Sequence, residues 1–337
     1  MLKSELQVVF AKSENIIEPV YMVCRNIHVN LVMKKIKLHK IKLIIWDLDD
    51  TFWNGTLSEY NSTIILNQKN IELVENLVDY GIMNSICSKN DYESVKKEFQ
   101  TKNLGKTWEY FLFPSINYES KGARIKDIIL KMQLREENVL FIDDNKINLE
   151  EAKHFCPNLI IAMPDIINEI SKQLLTLKTH DFEHKRLKRY KILENKTFYK
   201  KKFNSNEEFL IQSNISVEFK QNCIEQIDRI VDLFNRTNQL NYTKVRLDKN
   251  DVINILKNTN LENKYICVKD KYGDYGVCGF YSLNKNNNQL LHFMFSCSIL
   301  GMGIEQYVYQ YLKFPKLDVV GNVSVKLEKY NKTTYIN

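Results

Sequence analysis

Short apolar runs alternate with amphipathic segments between residues 41 and 178, a pattern typical of a parallel α/β sheet. Apolar runs predict strands at residues 41–47, 82–87, 111–113, 139–143 and 159–163. Segments with helical spacing predict helices at residues 71–80, 122–132, 148–155 and 166–177. Gly81 ends the first of these helices, and a further helix is predicted to begin near Asn90, with Glu93 completing a capping box.

The order of elements changes in the second half of the chain. Residues 179–206 are strongly charged and poor in Gly and Pro, which predicts a connecting helix. Beyond them, strands are predicted at residues 215–219, 265–269, 277–283 and 290–296, and helices at residues 225–235, 248–258 and 305–312. We therefore predict an α/β domain over residues 41–178 and an α+β domain with a mainly antiparallel sheet over residues 207–337. Residues 1–40 are predicted to form an amphipathic helix and a tether.

Composition narrows the class of protein. With 337 residues, 44% of them hydrophobic and 26% charged, the chain has room for two domains and is not a largely disordered protein. No apolar stretch is long enough to span a bilayer and the first residues lack a signal-peptide core, so we predict a cytoplasmic protein without a membrane partner. Seven cysteines with no CxxC spacing predict neither a disulfide framework nor a zinc site.

The net charge of +7 is carried mostly by lysine. Because the chain has neither a block rich in Lys and Arg nor a stripe of arginine and aromatic residues, we predict no nucleic-acid partner. An acidic protein partner stays open.

Two aspartates directly follow the first predicted strand, at Asp47 and Asp49. A strand that ends in DxDxT places both carboxylates at the carboxyl edge of a parallel sheet, where open α/β folds bind ligands. One carboxylate at this spacing can attack phosphorus, and the other can protonate the leaving oxygen and later activate water. Thr51 is predicted to constrain the turn between them.

Four more polar residues lie at the ends of predicted elements. Ser88 ends the second strand and Lys121 begins a helix, so these two side chains are suited to binding phosphoryl oxygens. Asp143 and Asp144 follow the strand at 139–143 and are suited to holding Mg²⁺, which prefers carboxylates and substrate oxygens. Each piece alone is common as a helix cap or surface residue, but all of them in this order favour a functional site.

These stretches together resemble the ordered motifs of the haloacid dehalogenase (HAD) superfamily, and residues 42–163 resemble its FkbH-like proteins of subfamily IIIC. The matching stretches are residues 46–55, 86–91, 115–118 with Lys121, and 141–145, and the resemblance continues at residues 235–241 and 273–279. It implies a capless Rossmann-like phosphatase domain, followed by a GNAT-like (acetyltransferase-like) domain.

The resemblance also implies roles for individual residues. Asp47 would be the nucleophile and Asp49 the acid and base, Ser88 and Lys121 would bind phosphate, and Cys87 would accept an acyl group as a thioester. The implied metal ligands are Asp47, Asp49, Asp143 and Asp144, and the implied substrate contacts are Thr51, Trp53, Lys89, Asn90 and Asn145. A thiolate at Cys87 would be favoured by Lys89 and Mg²⁺. Against this role stands the alternative of a buried cysteine at a strand end, because alternation along a strand points Cys87 and Ser88 in opposite directions.

FkbH-like proteins release phosphate from 1,3-bisphosphoglycerate and load the glyceryl unit onto the phosphopantetheine thiol of an acyl carrier protein, for polyketide or related secondary metabolism. The resemblance implies the same phosphorylated substrate and carrier partner here. The spacing fits an open site, since 88 − 51 = 37 and 121 − 88 = 33 positions between motifs leave no room for a cap domain of about 50 residues.

Two departures weaken the resemblance in the second domain. Relatives carry arginines in the loop at residues 297–303, where this chain has Ser298 and Met302. Relatives also continue beyond the position of Asn337, which implies a second domain that is incomplete or is completed by a partner chain. Two alternatives therefore stay open: a phosphomonoesterase that needs no carrier, and a non-catalytic protein that docks a carrier.

Overall fold

The computed structural model describes residues 36–57, 64–237, 239–328 and 333–336. The chain divides into two compact units, residues 1–40 and 41–337. In the first unit the described part is residues 36–40, with a 3-10 turn at Leu38–Lys40, so the helix predicted there lies outside the described residues.

The first sheet has five parallel strands in the order β3-β2-β1-β4-β5. The strands are β1 (Leu43–Trp46), β2 (Met83–Ser88), β3 (Ser115–Ile116), β4 (Val139–Ile142) and β5 (Ile160–Ala162). Every residue of β1, β2 and β4 is buried, which explains why these strands read as continuous apolar runs. The predicted α/β fold with a parallel sheet is confirmed, whereas the domain boundary at residue 178 stays a prediction.

Among the described residues, six α-helices accompany this sheet: α1 (Gln68–Asp79), α2 (Tyr92–Thr101), α3 (Gly105–Glu109), α4 (Lys121–Lys131), α5 (Lys146–Phe155) and α6 (Ile167–Leu174). The cap predicted for α2 is wrong by one residue. Asp91 is the N-cap and accepts the backbone N–H of Ser94, while Asn90 uses its side chain in the site described below. The strand predicted at 111–113 is a single bridge from Phe111 to Asn84, and the paired strand is β3.

The second sheet also has five strands, in the order β10-β9-β8-β7-β6. The strands are β6 (Ser216–Lys220), β7 (Leu261–Asp270), β8 (Gly273–Asn284), β9 (Gln289–Phe295) and β10 (Lys316–Leu317). The first four pair antiparallel, and the short β10, which sequence reasoning missed, pairs parallel with β9. A mainly antiparallel sheet in the second half is confirmed.

In the part of the second half that the structure describes, there are five α-helices: α7 (Lys185–Lys200), α8 (Asn206–Ile211), α9 (Ile227–Arg236), α10 (Lys249–Lys257) and α11 (Ile304–Tyr311). Alternation along β8 divides the core between the two faces of the sheet. Phe280 packs with residues of α9 and α10, whereas Tyr281 packs in the cluster that includes Val308 of α11.

Helix α7 contacts both sheet regions. Its Lys191 donates to the carbonyl of Phe111 at 3.0 Å, beside the parallel sheet, and its Ile192 packs against Gly273 at the start of β8. This helix lies within the segment 179–206, for which the sequence predicts a connecting helix. No helix in the described part of the chain is long and apolar enough to span a membrane.

Candidate active site

A polar pocket of about 180 Å³ lies at the carboxyl edge of the parallel sheet, where β1, β2 and β4 end. Its lining residues are Asp47, Asp49, Asp50, Thr56, Ser88, Lys89, Lys121, Asp144, Asn145 and Asn148. The structure therefore gathers residues that lie up to 101 positions apart in the sequence (148 − 47) around one opening. The convergence follows from parallel strands, which end at the same edge of their sheet.

A buried lysine joins two of the aspartates. Lys121 is the first residue of α4, and its Nζ lies 2.6 Å from Asp47 Oδ1 and 2.7 Å from Asp143 Oδ2. Lys121 is only 1% exposed and Asp143 is fully buried, so these are contacts between charges that water screens little. The sequence predicted that Lys121 would approach this carboxylate edge, and the structure places it there.

Burial is the main cause of the altered acidity in this cluster. It raises the pKa of Asp47 to about 6; the charge of Lys121 opposes the shift, and that of Asp143 adds to it. Burial also works against the charge of Lys121, but the carboxylates of Asp47 and Asp143 outweigh it and raise the pKa of the lysine. Burial and the neighbouring Asp143 likewise raise the pKa of Asp144. The cluster therefore holds more negative charge than one lysine can balance.

Three carboxylates in the cluster fit a divalent cation. One oxygen from each of Asp47, Asp143 and Asp144 lies within 4.8 Å of the other two, and Asp144 is exposed. An all-carboxylate set that leaves open positions is the kind of donor set that suits Mg²⁺. Three of the four aspartates predicted to bind magnesium therefore lie together. The carboxylate of Asp49 lies outside this group, and the role of Asp49 as a metal ligand stays a prediction.

The Asp49 carboxylate is held by three donors instead. The indole nitrogen of Trp53 donates to Oδ1 at 2.9 Å, and Asn90 Nδ2 donates to Oδ2 at 3.0 Å. The backbone N–H of Leu57 donates to Oδ1 at 3.3 Å. Asn90 Nδ2 also donates to Ser88 Oγ at 3.1 Å, which leaves the hydroxyl hydrogen of Ser88 available to the pocket. Asp49 and Ser88 are thus oriented by one shared asparagine.

The predicted substrate contacts separate into two groups. Lys89 and Asn145 line the pocket, and Lys89 Nζ donates to Asn148 Oδ1 at 3.2 Å. Thr51, Trp53 and Asn90 do not line it, and their contact with a substrate stays a prediction. Their polar groups are turned toward other site residues, and Thr51 Oγ1 accepts the backbone N–H of Asp144 at 3.0 Å, which joins the loops after β1 and β4.

The thiol of Cys87 is not placed at the pocket. Cys87 is fully buried inside β2, which remains paired with β3 through Ser88, so the strand has not opened into a loop at this position. Burial raises the pKa of the Cys87 thiol to about 12, even though the charges of Arg124 and Lys121 act in the opposite direction. The expected thiolate is therefore not favoured, and the geometry agrees with the alternative of a buried cysteine at a strand end.

Three residues that sequence reasoning missed position this site. Arg124 of α4 donates to the carbonyls of Ser88, Asn117, Glu119 and Ser115, which ties the ends of β2 and β3 to the helix. Asn148 donates to both carboxylate oxygens of Asp143, each at 3.2 Å. An arginine on the apolar face of a predicted helix was the signal for Arg124.

The third missed residue, Glu151 of α5, caps a helix to which it does not belong. It accepts the backbone N–H of Gly122 at 2.7 Å and the hydroxyl of Ser120, at the beginning of α4. Ser120 itself makes no side-chain cap. Because the positive end of the α4 dipole disfavours a lysine in its first turn, the Glu151 carboxylate also offsets an unfavourable position for Lys121.

Comparisons with solved structures give remote likenesses. The N-terminal part of a Bacteroides fragilis protein that contains a phosphatase domain, complexed with Mg, is 21% identical over 48% of this chain, with a TM-score of 0.35. This chain covers 45% of that one. A cobalt-bound deoxy-D-mannose-octulosonate 8-phosphate phosphatase from Haemophilus influenzae is 16% identical over 42% of this chain and 87% of its own, with a TM-score of 0.33.

A putative HAD superfamily (subfamily III A) hydrolase from Legionella pneumophila is 14% identical over 53% of this chain and 99% of its own, with a TM-score of 0.33. No protein-family model and no curated protein matches the chain. At these identities and TM-scores the likenesses assign neither a family nor an activity, so the argument for function comes from the site.

Proposed function

We propose that this protein is a Mg²⁺-dependent phosphatase of the HAD superfamily that forms an aspartyl phosphate at Asp47. The observation that supports the proposal is the contact of buried Lys121 with Asp47 and Asp143, beside Asp144 and Ser88 at the edge of a parallel sheet. Helix capping does not explain why these three carboxylates lie together: one oxygen of each is within 4.8 Å of the other two, and Asp47 and Asp143 both contact Lys121, although Asp143 also accepts the backbone N–H of Asn145 before α5. The order of the sequence motifs supports the same superfamily.

The residues divide the reaction between them. A carboxylate oxygen of Asp47 forms a bond to phosphorus while the bond from phosphorus to the leaving oxygen breaks, and Asp49 gives that oxygen its proton. Lys121 and the Ser88 hydroxyl hold the negative phosphoryl oxygens. In the second step Asp49 takes a proton from water, whose oxygen attacks phosphorus and releases Asp47. Magnesium at Asp47, Asp143 and Asp144 would supply charge stabilisation for both displacements.

Replacing each carboxylate tests the roles. Asp47→Asn should abolish phosphate release from an acyl phosphate or an aryl phosphate monoester, because an amide oxygen is a poor nucleophile toward phosphorus. Asp49→Asn should lower kcat by about 10² to 10⁴. The exposed surface substitution Asp127→Asn is the control and should leave kcat unchanged. Phosphate release by Asp47→Asn at the wild-type rate, or full activity in excess EDTA, would refute the proposal.

A second proposal concerns the acceptor, and it keeps the FkbH-like interpretation. The segments between the motif residues form α1 and β2, then α2, α3 and β3, and no cap domain occurs among their described residues. A pocket without a cap can receive the arm of an acyl carrier protein, and the net charge of +7 suits an acidic carrier. The substrate would then be 1,3-bisphosphoglycerate, with the GNAT-like second domain helping to hold the carrier.

Intact-mass measurement separates this proposal from a phosphatase without a carrier. The enzyme is incubated with 1,3-bisphosphoglycerate and Mg²⁺, with and without a candidate carrier. A glyceryl adduct on the carrier supports transfer of the glyceryl unit. Phosphate release without any adduct supports a phosphatase that needs no carrier. Cys87→Ala should release phosphate within about twofold of wild type, because the thiol lies inside β2. A glyceryl adduct on wild-type enzyme that Cys87→Ala lacks would restore the acyl-acceptor role that the geometry does not favour.

A further inference from the structure

Two side chains at the mouth of the catalytic pocket have no part in the proposed reaction. Lys89 and Asn145 both line this pocket, and Lys89 Nζ lies 3.2 Å from Asn148 Oδ1, in the first turn of α5. Both residues are exposed, whereas Lys121 and Ser88, which hold the phosphoryl oxygens in that reaction, are buried deeper in the pocket. We call Lys89 and Asn145 the mouth pair.

The mouth pair has hydrogen-bond donors to spare. The ammonium group of Lys89 carries three N–H donors, and among the described residues it uses one, for Asn148. Asn145 Oδ1 accepts the backbone N–H of Ile147 at 2.9 Å, which makes Nδ2 the other end of this amide. Within the described part of the chain, Asn145 Nδ2 makes no hydrogen bond. Both side chains can therefore donate to a ligand in the pocket.

The positive charge at the mouth pair is also unbalanced. Lys89 makes no ion pair with any residue that the structure describes, and α5, which starts beside it, has no acidic residue in its first turn. Two carboxylates share the opening, but both are engaged. Asp50 Oδ1 accepts the backbone N–H of Gly55 at 2.8 Å, and Asp144 belongs to the group that fits a divalent cation. The side of the pocket formed by Lys89 and the start of α5 is therefore suited to an anion.

The depth of the pocket separates the mouth pair from the phosphoryl group that is transferred. That group must reach Asp47, which is 5% exposed and contacts Lys121, itself 1% exposed. In a phosphoryl transfer the attacking and leaving oxygens lie roughly in line with phosphorus between them. The leaving group therefore points away from Asp47 and toward the opening, where Lys89 and Asn145 lie. Donors at the mouth face the part of the substrate that is released.

We propose that the mouth pair selects substrates whose leaving group carries a second anion, held by Lys89 and Asn145. This inference rests on the proposed phosphatase activity and names its substrate class: small phosphorylated acids, in preference to phosphate esters of neutral alcohols. The second anion is a carboxylate or another phosphate, since both present oxygens that an ammonium group binds by charge-assisted hydrogen bonds. Lys89 is a specificity-determining residue that does not contact the reacting phosphorus.

A purely structural role for Lys89 would act through Asn148. The amide of Asn148 donates to both oxygens of the Asp143 carboxylate, each at 3.2 Å, so loss of the lysine could disturb Asp143. Such a disturbance would lower activity toward every phosphate ester alike. Selection of an anion instead changes the ratio of activities toward esters that differ in the second anion. That ratio therefore separates the two roles.

The test compares three esters on one carbon skeleton, with the full chain and Mg²⁺: glycerol 3-phosphate, 3-phosphoglycerate and glycerol 1,3-bisphosphate. For the better of the two esters with a second anion, wild-type kcat/KM should exceed that of glycerol 3-phosphate at least about 10-fold, the effect of one charge-assisted contact. Which of the two is better identifies the anion. Lys89→Met should reduce the preference to less than about twofold, mainly by raising KM, and Lys89→Arg should keep part of it. Lys126→Met, which removes an exposed lysine of α4 outside the pocket, should keep the wild-type preference.

A binding measurement tests the mouth pair apart from catalysis. Titration calorimetry with Mg²⁺ gives the affinities of the same three esters for Asp47→Asn, which should not turn them over. The better of the two esters with a second anion should bind at least about 10-fold more tightly than glycerol 3-phosphate, and adding Lys89→Met should remove this difference. If the wild type releases phosphate from none of the esters, the phosphatase proposal fails and the affinities alone decide on the mouth pair. Equal affinities of all three esters, or the same preference in Lys89→Met and Lys126→Met, would overturn the inference.

Discussion

Removing the Lys121 ammonium group is the perturbation whose effect the structure constrains best. In Lys121→Met a side chain of similar length stays, but the Asp47 and Asp143 carboxylates lose contacts of 2.6 and 2.7 Å. Both acids are buried, Asp143 completely, so water cannot replace the lysine. Removing one partner of a buried ion pair costs about 3–5 kcal/mol, and we expect the free energy of unfolding to fall by that amount at pH 8 in EDTA.

The loss should depend on pH in a known direction. The pKa of Asp47 in the folded protein is about 6, above its ordinary value of 3.8. Asp47 is therefore mostly protonated at pH 5 and needs the lysine less, so Lys121→Met should cost less stability there than at pH 8. Magnesium should also stabilise the variant more than the wild type, because three carboxylates without a lysine bind a cation more tightly.

Urea unfolding followed by circular dichroism measures these differences at pH 5 and pH 8, with EDTA and with Mg²⁺. Lys126→Met on the exposed face of the same helix is the matched control and should change stability by less than about 0.5 kcal/mol. The electrostatic argument is wrong if Lys121→Met is as stable as Lys126→Met in EDTA at pH 8. It is also wrong if Mg²⁺ stabilises the variant and the wild type equally.

Two further substitutions give predictions outside the lysine contact. Trp53→Phe removes the indole N–H that holds Asp49, so kcat should fall about 10-fold or more with little change in KM. Trp46→Phe is the control: it loses a buried hydrogen bond to Asn84 and should keep kcat. Equal kcat values in the two variants would contradict the positioning role of Trp53. Burial raises the pKa of Glu305 to about 7 from 4.5, so its ionisation should lower the free energy of unfolding by about 3 kcal/mol as pH rises from 4.5 to above 7. In urea unfolding from pH 4.5 to 8, the free energy of unfolding should change less with pH in Glu305→Gln than in the wild type, but not in the exposed Glu150→Gln. An unchanged pH dependence in Glu305→Gln would show that Glu305 does not titrate in this range.

The strand ends were predictable from sequence because burial leaves a strong local signal. The run of apolar residues before Asp47 ends where β1 ends, and the run from residue 139 ends next to Asp143. Both strands are central in a parallel sheet with two covered faces, so the chemistry had to follow at their carboxyl ends. Lys121 was predicted at the start of a helix because the buried face of that helix also leaves an apolar pattern in the sequence.

The orientation of side chains after these strands was not predictable. Asn90 and Asp91 are equally good helix caps by residue type, and only the tertiary position of Ser88 and Asp49 decides that Asn90 faces the site. The same holds for Trp53, whose indole reaches back to Asp49 within a single turn of chain. Cys87 shows that the position of a residue in a motif does not fix where its side chain points. Alternation along β2 turns the side chains of Cys87 and Ser88 to opposite faces of the sheet.

The cap that Glu151 supplies to α4 bears on how the site forms during synthesis. Lys121 emerges from the ribosome about thirty residues before Glu151, and the start of α4 has no side-chain cap of its own until α5 arrives. Asn148, whose amide donates to both oxygens of the Asp143 carboxylate, also belongs to α5. A nascent chain that stops before α5 has all the residues of the first four strands but cannot fix the lysine against Asp47. We therefore expect fragments ending before residue 146 to lack a formed site, even where their first strands are paired.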